Sequence, residues 1–546
     1  MLIRKLLRTA WSYKSQFISM VIMIAIGVGI FLGFNMEWKS LEQDAFTFLE
    51  DTDYADFRIY SETGFSEDDI KAIQAIDGVD AATRYFLVNV GIKGTKKSVA
   101  LNVSENYSVS TMLIMDGTEY GEDSDGIWLS DKFAAANHIQ IGDELTVTYT
   151  GIEITAEVVG LAKSGENLIC VADENQLMPD YHSFGFAYIT PKTLENALGF
   201  AFYPQINIIS DMEKADLEEA IKDATGTTFL VTTKDEHYSY AGVMSEAEEG
   251  KTMGSILPAL FLAIAVLTMV TTMHRIAANE KVQIGTLKAL GFRDRKILAH
   301  YTSYGLMIGL IGLVLGVILG YLVAGLIISP TGMMSTYLDL PSWDLVIPDF
   351  CIPVMAAMLV FLTLISYLSV KRMLKGTAAD ALRPYTPKAM KKSAIEKLPF
   401  WNKLPFGTKW NIRDVLRHKS RSAMTLVGVI GCTVLLVGGL GMKDTMERFL
   451  GMMDEDISNY TTKIILSESA SNKDAAALAE DVNGDWLASA GISYEGRTIS
   501  LEIYNADNGR IRFLTEENEL TQLSDDGVYL CLRLKDTAAI GDTIQF

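Results

Sequence analysis

The sequence predicts a polytopic α-helical membrane protein with a large α+β extracytoplasmic domain. Its plan is one span, an ectodomain and three further spans, a unit that then begins again and stays incomplete. Three observations predict this. Five long runs lack Asp, Glu, Lys and Arg, the sign of charge alternates between those runs, and two sequence matches recur in the same order far along the chain. The chain of 546 residues is 49% hydrophobic yet carries a net charge of −21, so apolar and charged residues must be segregated. So apolar a chain is not disordered. So acidic a chain is no nucleic-acid binder, which needs a basic field. Four cysteines in this length exclude a disulfide-stapled scaffold, and Cys351 and Cys432 fall inside apolar runs.

The apolar runs are Phe17–Phe34, Ile256–Met273, Leu306–Ser329, Phe350–Val370 and Ala423–Met442. A span needs roughly 20 apolar residues to cross about 30 Å of hydrocarbon. Buried core helices are the alternative, and five such runs in one chain weigh against it. The first run follows Arg4, Lys5, Arg8 and Lys14 as a signal peptide would. It is longer than the usual h-region of about 7–15 residues and no A-x-A-like site follows, so it reads as a retained helix.

Charge sets the orientation. Residues 1–16 hold four basic and no acidic residues, and residues 37–254 hold 40 acidic and 14 basic. Residues 274–300 hold six basic and two acidic, 330–349 three acidic and no basic, and 371–422 fourteen basic and three acidic. Lys/Arg-rich short loops stay in the cytoplasm. The expected order is therefore a cytoplasmic amphipathic helix (1–16), a first span (17–36), an extracytoplasmic α+β domain with its stalk (37–254) and a second span (255–274). A cytoplasmic loop (275–300), a third span (301–329), an outer loop (330–349) and a fourth span (350–370) follow. A cytoplasmic linker (371–422), a fifth span (423–442) and the start of a second outer domain (443–546) end the chain.

Within the outer segment, Ala55–Tyr60 alternates like a strand. Ser66 and Asp69 form a capping-box pattern ahead of a helix over Glu67–Ile76 with Ile70, Ile73 and Ile76 on one face. Strands are expected at Tyr85–Ile92, Ser98–Val103, Gly126–Leu129, Glu144–Tyr149 and Glu153–Gly160, and a helix at Lys214–Asp223. Strands mixed with helices and no regular βαβ order give an α+β domain. Residues 234–255 read as a helical stalk.

The repeat has two parts. LRTAWSYKSQ (7–16) resembles IRDVLRHKSR (412–421), pairing Arg8 with Arg413, Lys14 with Lys419 and Ser15 with Ser420 at a shift of 405. GIWLSDKFAAANHIQIGDELTV (126–147) resembles GVYLCLRLKDTAAIGDTIQF (527–546), pairing Ile141-Gly142-Asp143 with Ile540-Gly541-Asp542. Agreement in order and spacing argues for duplication. On that reading the second copy lacks its later part, with three more spans and a second coupling loop expected beyond it.

No catalytic constellation is present. There is no Walker A loop, no H-E-x-x-H and no G-x-S-x-G, and the six His are scattered without metal-ligand spacing. Gly121–Gly126 lacks the first ligand of a calcium loop and reads as a solvated turn. No catalytic or metal-binding residue and no bound cofactor is expected. A membrane-anchored ecto-enzyme is disfavoured for the same reason. Gly305, Gly309, Gly312, Gly316 and Gly320 put small residues on one face of the third span, which reads as close helix packing.

The informative segment is Asn279–Ile297. Ile284, Leu287 and Leu290 are expected to form an apolar edge ringed by Lys281, Lys288, Arg293, Arg295 and Lys296. It reads either as a surface helix drawn to anionic lipid or as a docking element for a cytoplasmic partner. Glu280–Gly291 resembles the E-x-x-x-E-I-G-x-L-[KR]-A-x-G pattern of FtsX/MacB-type ABC transporter permeases, matching at Glu280, Ile284, Gly285, Leu287, Lys288, Ala289 and Gly291. Gln283 stands where the family has a second acid. Gly376–Tyr385 resembles the family's A-L-R tail, and Gly126–Leu145 its ectodomain run ending in I-G-D.

The resemblance implies a permease subunit that hydrolyses nothing itself. Residues 280–291 would be its coupling helix, docked on a separate cytoplasmic ATPase that dimerises on ATP and magnesium. It implies residence in the bacterial cytoplasmic membrane and work on an extracellular peptide, lipid or protein. Acid-rich outer domains would suit cationic ligands, or serve as a solvated surface. Two functions stand side by side: export or extraction of a substrate, and mechanical activation of an extracellular hydrolase or sensor kinase.

Overall fold

The computed structural model describes residues 2–371 apart from 150, 174–175, 177 and 201. It further describes 396 and 399–545, interrupted at 418, 458, 461, 465, 467–469, 495–496, 506–508, 516–518, 522, 524–526, 532–533 and 535–536. Its elements in chain order begin with helices α1 (Leu2–Ser12) and α2 (Lys14–Asp51), strand β1 (Phe57–Tyr60) and helix α3 (Glu67–Gln74). Strands β2 (Val79–Ile92), β3 (Ser98–Ser104), β4 (Met112–Gly117) and β5 (Ile127–Ser130) precede α4 (Asp131–Asn137). Then come β6 (Glu144–Tyr149), β7 (Ile152–Ser164), β8 (Phe184–Ile189), α5 (Pro191–Leu198), β9 (Gln205–Ser210), α6 (Lys214–Thr225) and β10 (Leu230–Thr233). Helices α7 (Tyr238–Asn279), α8 (Lys281–Ala289), α9 (Asp294–Ile327) and α10 (Cys351–Lys371) follow, then α11 (Phe406–Arg417), α12 (Lys419–Gly451) and α13 (Asn472–Asp481). Strands β11 (Leu487–Tyr494) and β12 (Arg497–Tyr504) form a hairpin. The A-L-R tail at 376–385 lies outside the described residues.

The chain divides into a helical unit (Met1–Glu42, Glu246–Met333, Trp343–Gly441) and a sheet unit (Gln43–Ser245, Met334–Ser342, Met442–Phe546). Among the described residues, five helices lying mainly in the helical unit are long and apolar enough to cross a membrane: Lys14–Asp51, Tyr238–Met273, Asp294–Ile327, Cys351–Lys371 and Val429–Gly451. Each overlaps one of the five apolar runs. Most of residues 234–255, expected as a helical stalk leading into the second span, forms the first part of α7, which runs unbroken from Tyr238 to Asn279.

The glycine face of α9 is packed as expected. All five glycines are buried. A Cβ at Gly312 would lie 2.7 Å from Ile24 Cγ2, at Gly316 2.5 Å from Val28 Cβ, and at Gly320 2.8 Å from Leu32 Cβ. Gly29 and Gly33 of α2 return the fit against Leu319 and Val323. Small residues four apart on each helix thus admit branched ones four apart on the other. This is how helices associate where no hydrophobic effect drives them.

In the sheet unit, ten strands form one mixed sheet in the order β10-β1-β9-β2-β3-β8-β5-β7-β4, with β6 pairing β2 and β7. The pairs β3–β8 and β5–β7 are parallel, the others antiparallel. Helices α3 and α6 cover Phe57, Ile59, Ile206, Ile208 and Val231 with Ile70, Ile73, Leu217 and Ile221. Phe133 of α4 and Leu194 of α5 close a second core on Val99, Leu101 and Leu129.

Several expectations are corrected. The helix expected to Ile76 stops at Gln74, where Ala75 caps it. The strand at Glu153–Gly160 extends to Ile152–Ser164, and that at Tyr85–Ile92 starts at Val79 with a bulge before Ala81. Strands β4, β8, β9 and β10 and helices α4 and α5 are not among the elements expected from the sequence. Phe184–Ile189 is buried at every position, so no polar face marks it, whereas the strand expected at Gly126–Leu129 forms at Ile127–Ser130.

The duplication has structural counterparts. Ser66 caps α3 with Asp69 completing the box, and Ser471 caps α13 with Asp474, again 405 residues on. Gly142 and Gly541 adopt φ +97° and +100°. In both turns the Asp side chain accepts from the backbone three residues back, Gln140 at 2.8 Å and Ala539 at 2.9 Å.

Candidate functional site

The segment between α7 and α9 is built around one carboxylate. The Glu280 N–H donates to Ile276 O at 2.9 Å, and its C=O accepts from Ile284 N–H at 2.9 Å. Glu280 thus carries the hydrogen-bond ladder from α7 into α8, while its own φ −90° and ψ 11° mark the break between them. Its side chain is almost fully buried. Oε2 accepts from the Tyr301 hydroxyl at 2.6 Å and lies 3.1 Å from Lys5 Nζ, while Oε1 accepts from Thr9 Oγ1 at 3.2 Å. Lys5 Nζ also donates to the Tyr301 hydroxyl at 3.3 Å. The first residue of the matched motif therefore clasps the N-terminal helix to α9. A buried carboxylate is tolerated only when charge and hydrogen bonds meet it this way.

Helix α8 ends at a glycine for a conformational reason. Gly291 has φ +85°, a left-handed geometry that costs an L side chain, and a Cβ there would touch nothing within 4 Å. Its N–H donates to Lys288 O, and Phe292 N–H to Leu287 O, closing the helix before α9 starts at Asp294.

The expected apolar edge is split. Ile284 and Gly285 are buried and Leu287 is half-buried, and both aliphatic side chains pack in the helical unit's own core with Met273, Ile276, Ile297 and Tyr301. Leu290 turns away and is 70% exposed. Lys288 is half-buried and pairs with Asp294 at 3.1 Å. Val282, Gln283, Thr286, Ala289 and Leu290 form the exposed face. An apolar edge beside a bundle meets that bundle first, which is why Ile284 and Leu287 face inward.

Lys5, Thr9 and Tyr301 are not among the site residues expected from the sequence. A signal existed. Glu280 is one of only two acids in the basic stretch 274–300, and Lys5 and Thr9 stand one turn apart on an otherwise amphipathic helix.

Within the sheet unit, a second buried network holds the segments where α2 ends and α7 begins. Arg58 grips Glu166 with Nη2 at 2.6 Å and Nε at 3.2 Å. Ser110 Oγ donates to Glu166 at 2.6 Å, and His237 Nε2 lies 3.4 Å from it. The Tyr54 hydroxyl bonds His237 Nδ1 at 2.8 Å. Burial alone pushes the Glu166 carboxyl up, but Arg58 and His237 hold it below its usual range. Burial, reinforced by Arg58, pushes the His237 imidazole down to about 3.

Residues 334–342, expected as part of a plain outer loop, belong to the sheet unit. Asp339 ion-pairs with Lys163, which also meets Asp131 at 2.9 Å. Lys132 Nζ donates to Ser335 O at 2.6 Å and Leu338 O at 2.8 Å, and Asp339 N–H donates to Leu168 O at 2.9 Å.

Residues 255–378, which contain the clasp residues Glu280 and Tyr301, match the FtsX-like permease C-terminal family. The chain is 25% identical over 355 residues to an uncharacterised ABC transporter permease of Methanocaldococcus jannaschii, covering 60% of this chain and 81% of the relative. Two solved structures show weak likeness. One is the extracellular domain of the noncanonic ABC-type transporter YknZ from Gram-positive bacteria, at 14% identity, 32% of this chain, 97% of that one and a TM-score of 0.24. The other is the periplasmic region of MacB from Actinobacillus actinomycetemcomitans, at 13% identity, 37% of this chain, 95% of that one and a TM-score of 0.24. At that score neither defines the fold of the sheet unit. Residues 255–378 are thus similar to the FtsX-like permease C-terminal family, and the chain resembles an ABC transporter permease over 60% of its length.

Proposed function

We propose that the chain is the membrane subunit of an ABC transporter whose ATP hydrolysis is carried out by a separate cytoplasmic subunit docking on α8. The observation that carries this is the clasped α8 itself. Glu280, Thr9, Lys5 and Tyr301 fix one side of the helix, and Val282, Gln283, Thr286, Ala289 and Leu290 are left for a partner. A short exposed helix face at fixed orientation fits a helix-in-groove contact. ATP and magnesium would bind that partner, and this chain supplies the docking helix and the moving spans.

The alternating charge supports a cytoplasmic N-terminus in a cell membrane, with the sheet unit on the far side. The sheet unit is built to receive force. The chain enters it through α2, leaves through α7, and returns as 334–342; the Arg58–Glu166 pair with Tyr54 and His237 stands at the first two passages and Asp339–Lys163 holds the third. This favours strokes transmitted to the sheet unit, acting either on a substrate or on a protein outside.

The test is purification of the tagged chain in mild detergent followed by identification of what accompanies it. An ABC ATPase that is retained by the natural chain and lost from Leu290→Asp supports the reading. Retention of no ATPase, with the chain folded, refutes it. Accessibility labelling at positions 120 and 335 against 289, which is exposed, tests the orientation independently.

A further inference from the structure

Helix α1 presents three sectors. Lys5 and Thr9 face Glu280, and Leu6, Ala10 and the following Tyr13 pack on the helical core. The third sector carries Arg4, Arg8 and Trp11, spaced i, i+4, i+7, and all three are exposed. Trp11 is 76% exposed, and Lys14 Nζ sits 5.5 Å from the centroid of its ring. No Asp or Glu occurs anywhere in residues 1–36, and among the described residues neither Arg4 nor Arg8 has an acidic partner.

Trp11 stands six residues before Phe17, where the first apolar run begins. A chain advances at most about 3.5 Å per residue, so this face cannot lie far from the edge of the hydrocarbon. Indole rings collect at that depth, and basic side chains there gain from the negative surface of the leaflet. A face turned to bulk water would carry the cations without the tryptophan. We propose that Arg4, Arg8 and Trp11 form a docking face for anionic phospholipid in the leaflet where the first span begins. The two guanidiniums take phosphate oxygens in forked hydrogen bonds, and the indole lies among the glycerol and upper acyl atoms. This rests on reading Phe17–Phe34 as a membrane span. Because the neighbouring sector of α1 holds Glu280, lipid bound to this face steadies the start of α8.

The test places the full chain in phosphatidylcholine nanodiscs, with and without a fraction of phosphatidylglycerol, and follows amide exchange in residues 2–12. Phosphatidylglycerol is expected to slow exchange in the natural chain. The slowing is lost in Arg4→Gln/Arg8→Gln and kept in Arg4→Lys/Arg8→Lys, which preserves the charge. Trp11→Ala, which alters no charge, weakens the response without abolishing it. Incorporation into neutral nanodiscs checks the span separately. Equal exchange in both lipids for the natural chain overturns the proposal. So does slowing that persists in Arg4→Gln/Arg8→Gln, or slowing that appears only when a co-purified ATPase is added, which would make this a protein-docking face.

Discussion

Lys5 Nζ lies 3.1 Å from the Glu280 carboxylate, joining the second turn of the chain to a residue 275 positions later. Both side chains are largely withdrawn from water, Glu280 almost wholly. Removing one partner of a buried pair leaves the other uncompensated, at roughly 3–5 kcal/mol. Glu280→Ala should therefore release α1, raising amide exchange in residues 2–12 and lowering the melting temperature in detergent. Lys5→Ala should do less, because Thr9 and Tyr301 still donate to the carboxylate. Equal, small effects of both changes would mean that the clasp carries no stability.

The two faces of α8 should separate in mutagenesis. Ile284→Asp puts a carboxylate into the helical core, so it should cost several kcal/mol in order of magnitude and reduce folded protein. Val282→Asp and Leu290→Asp change exposed positions and should leave the melting temperature within about 1 °C, since surface changes stay near ±0.5 kcal/mol. On the proposed function those two weaken association with the ATPase. Full association in Val282→Asp/Leu290→Asp, measured by co-purification, would place the partner elsewhere.

Gly316 should tolerate no side chain larger than its own hydrogen. A Cβ there meets Val28 Cβ at 2.5 Å, closer than real Cβ atoms approach. Gly316→Val should destabilise the α2–α9 pair by about 1–3 kcal/mol or more, as overpacking does. Gly325 on the same helix has nothing within 4 Å, so Gly325→Ala should be neutral. Thermal unfolding of the two variants in one detergent checks the contrast.

The spans were legible because twenty apolar residues in a row have few other uses, and the glycine face because its spacing matches a helix. The Ser66–Asp69 box and the Ile-Gly-Asp turns were legible because a few adjacent residues decide them. Phe184–Ile189 was not, since a strand buried on both faces has no alternation to read. The outward set of α8 was misassigned for a related reason. Hydrophobicity says that Ile284 wants to be buried, but not whether its own bundle or a partner buries it. The Arg58–Glu166 pair joins residues 108 positions apart, and nothing local in the sequence announces such a contact.

Acid should loosen the sheet unit through His237. Burial, reinforced by the Arg58 charge, pushes its imidazole down to about 3, against an ordinary value of 6.5. Between those values the unfolded chain binds a proton that the folded chain refuses, so stability rises with pH across the window. The contribution is full above about pH 6.5 and drains away as pH falls toward 3. Glu166, held below its usual range once Arg58 outweighs burial, adds loss in the same direction at the acid end. His237→Gln removes the titrating group and should flatten the decline between pH 6.5 and 4.5. A decline of unchanged steepness in denaturant midpoints would show that other groups dominate.

The pairing of Asp339 with Lys163 should behave as a lock on residues 334–342. Lys163 is 6% exposed and Asp339 1%, so neither can turn to water when its partner is removed. Asp339→Ala strands two neighbouring ammonium groups, Lys163 and Lys132, although Asp131 still meets the first. The segment should then detach, opening the chain around 334–342 to limited proteolysis. Lys163→Ala strands a single carboxylate that Lys132 partly compensates at 3.4 Å, so its effect should be smaller. Buried ion pairs replaced whole by apolar residues are often neutral or stabilising. Lys163→Met/Asp339→Leu should accordingly restore protease resistance that Asp339→Ala loses. Resistance in all three variants would show that Leu338 and Leu340, both buried, hold the segment without the ion pair.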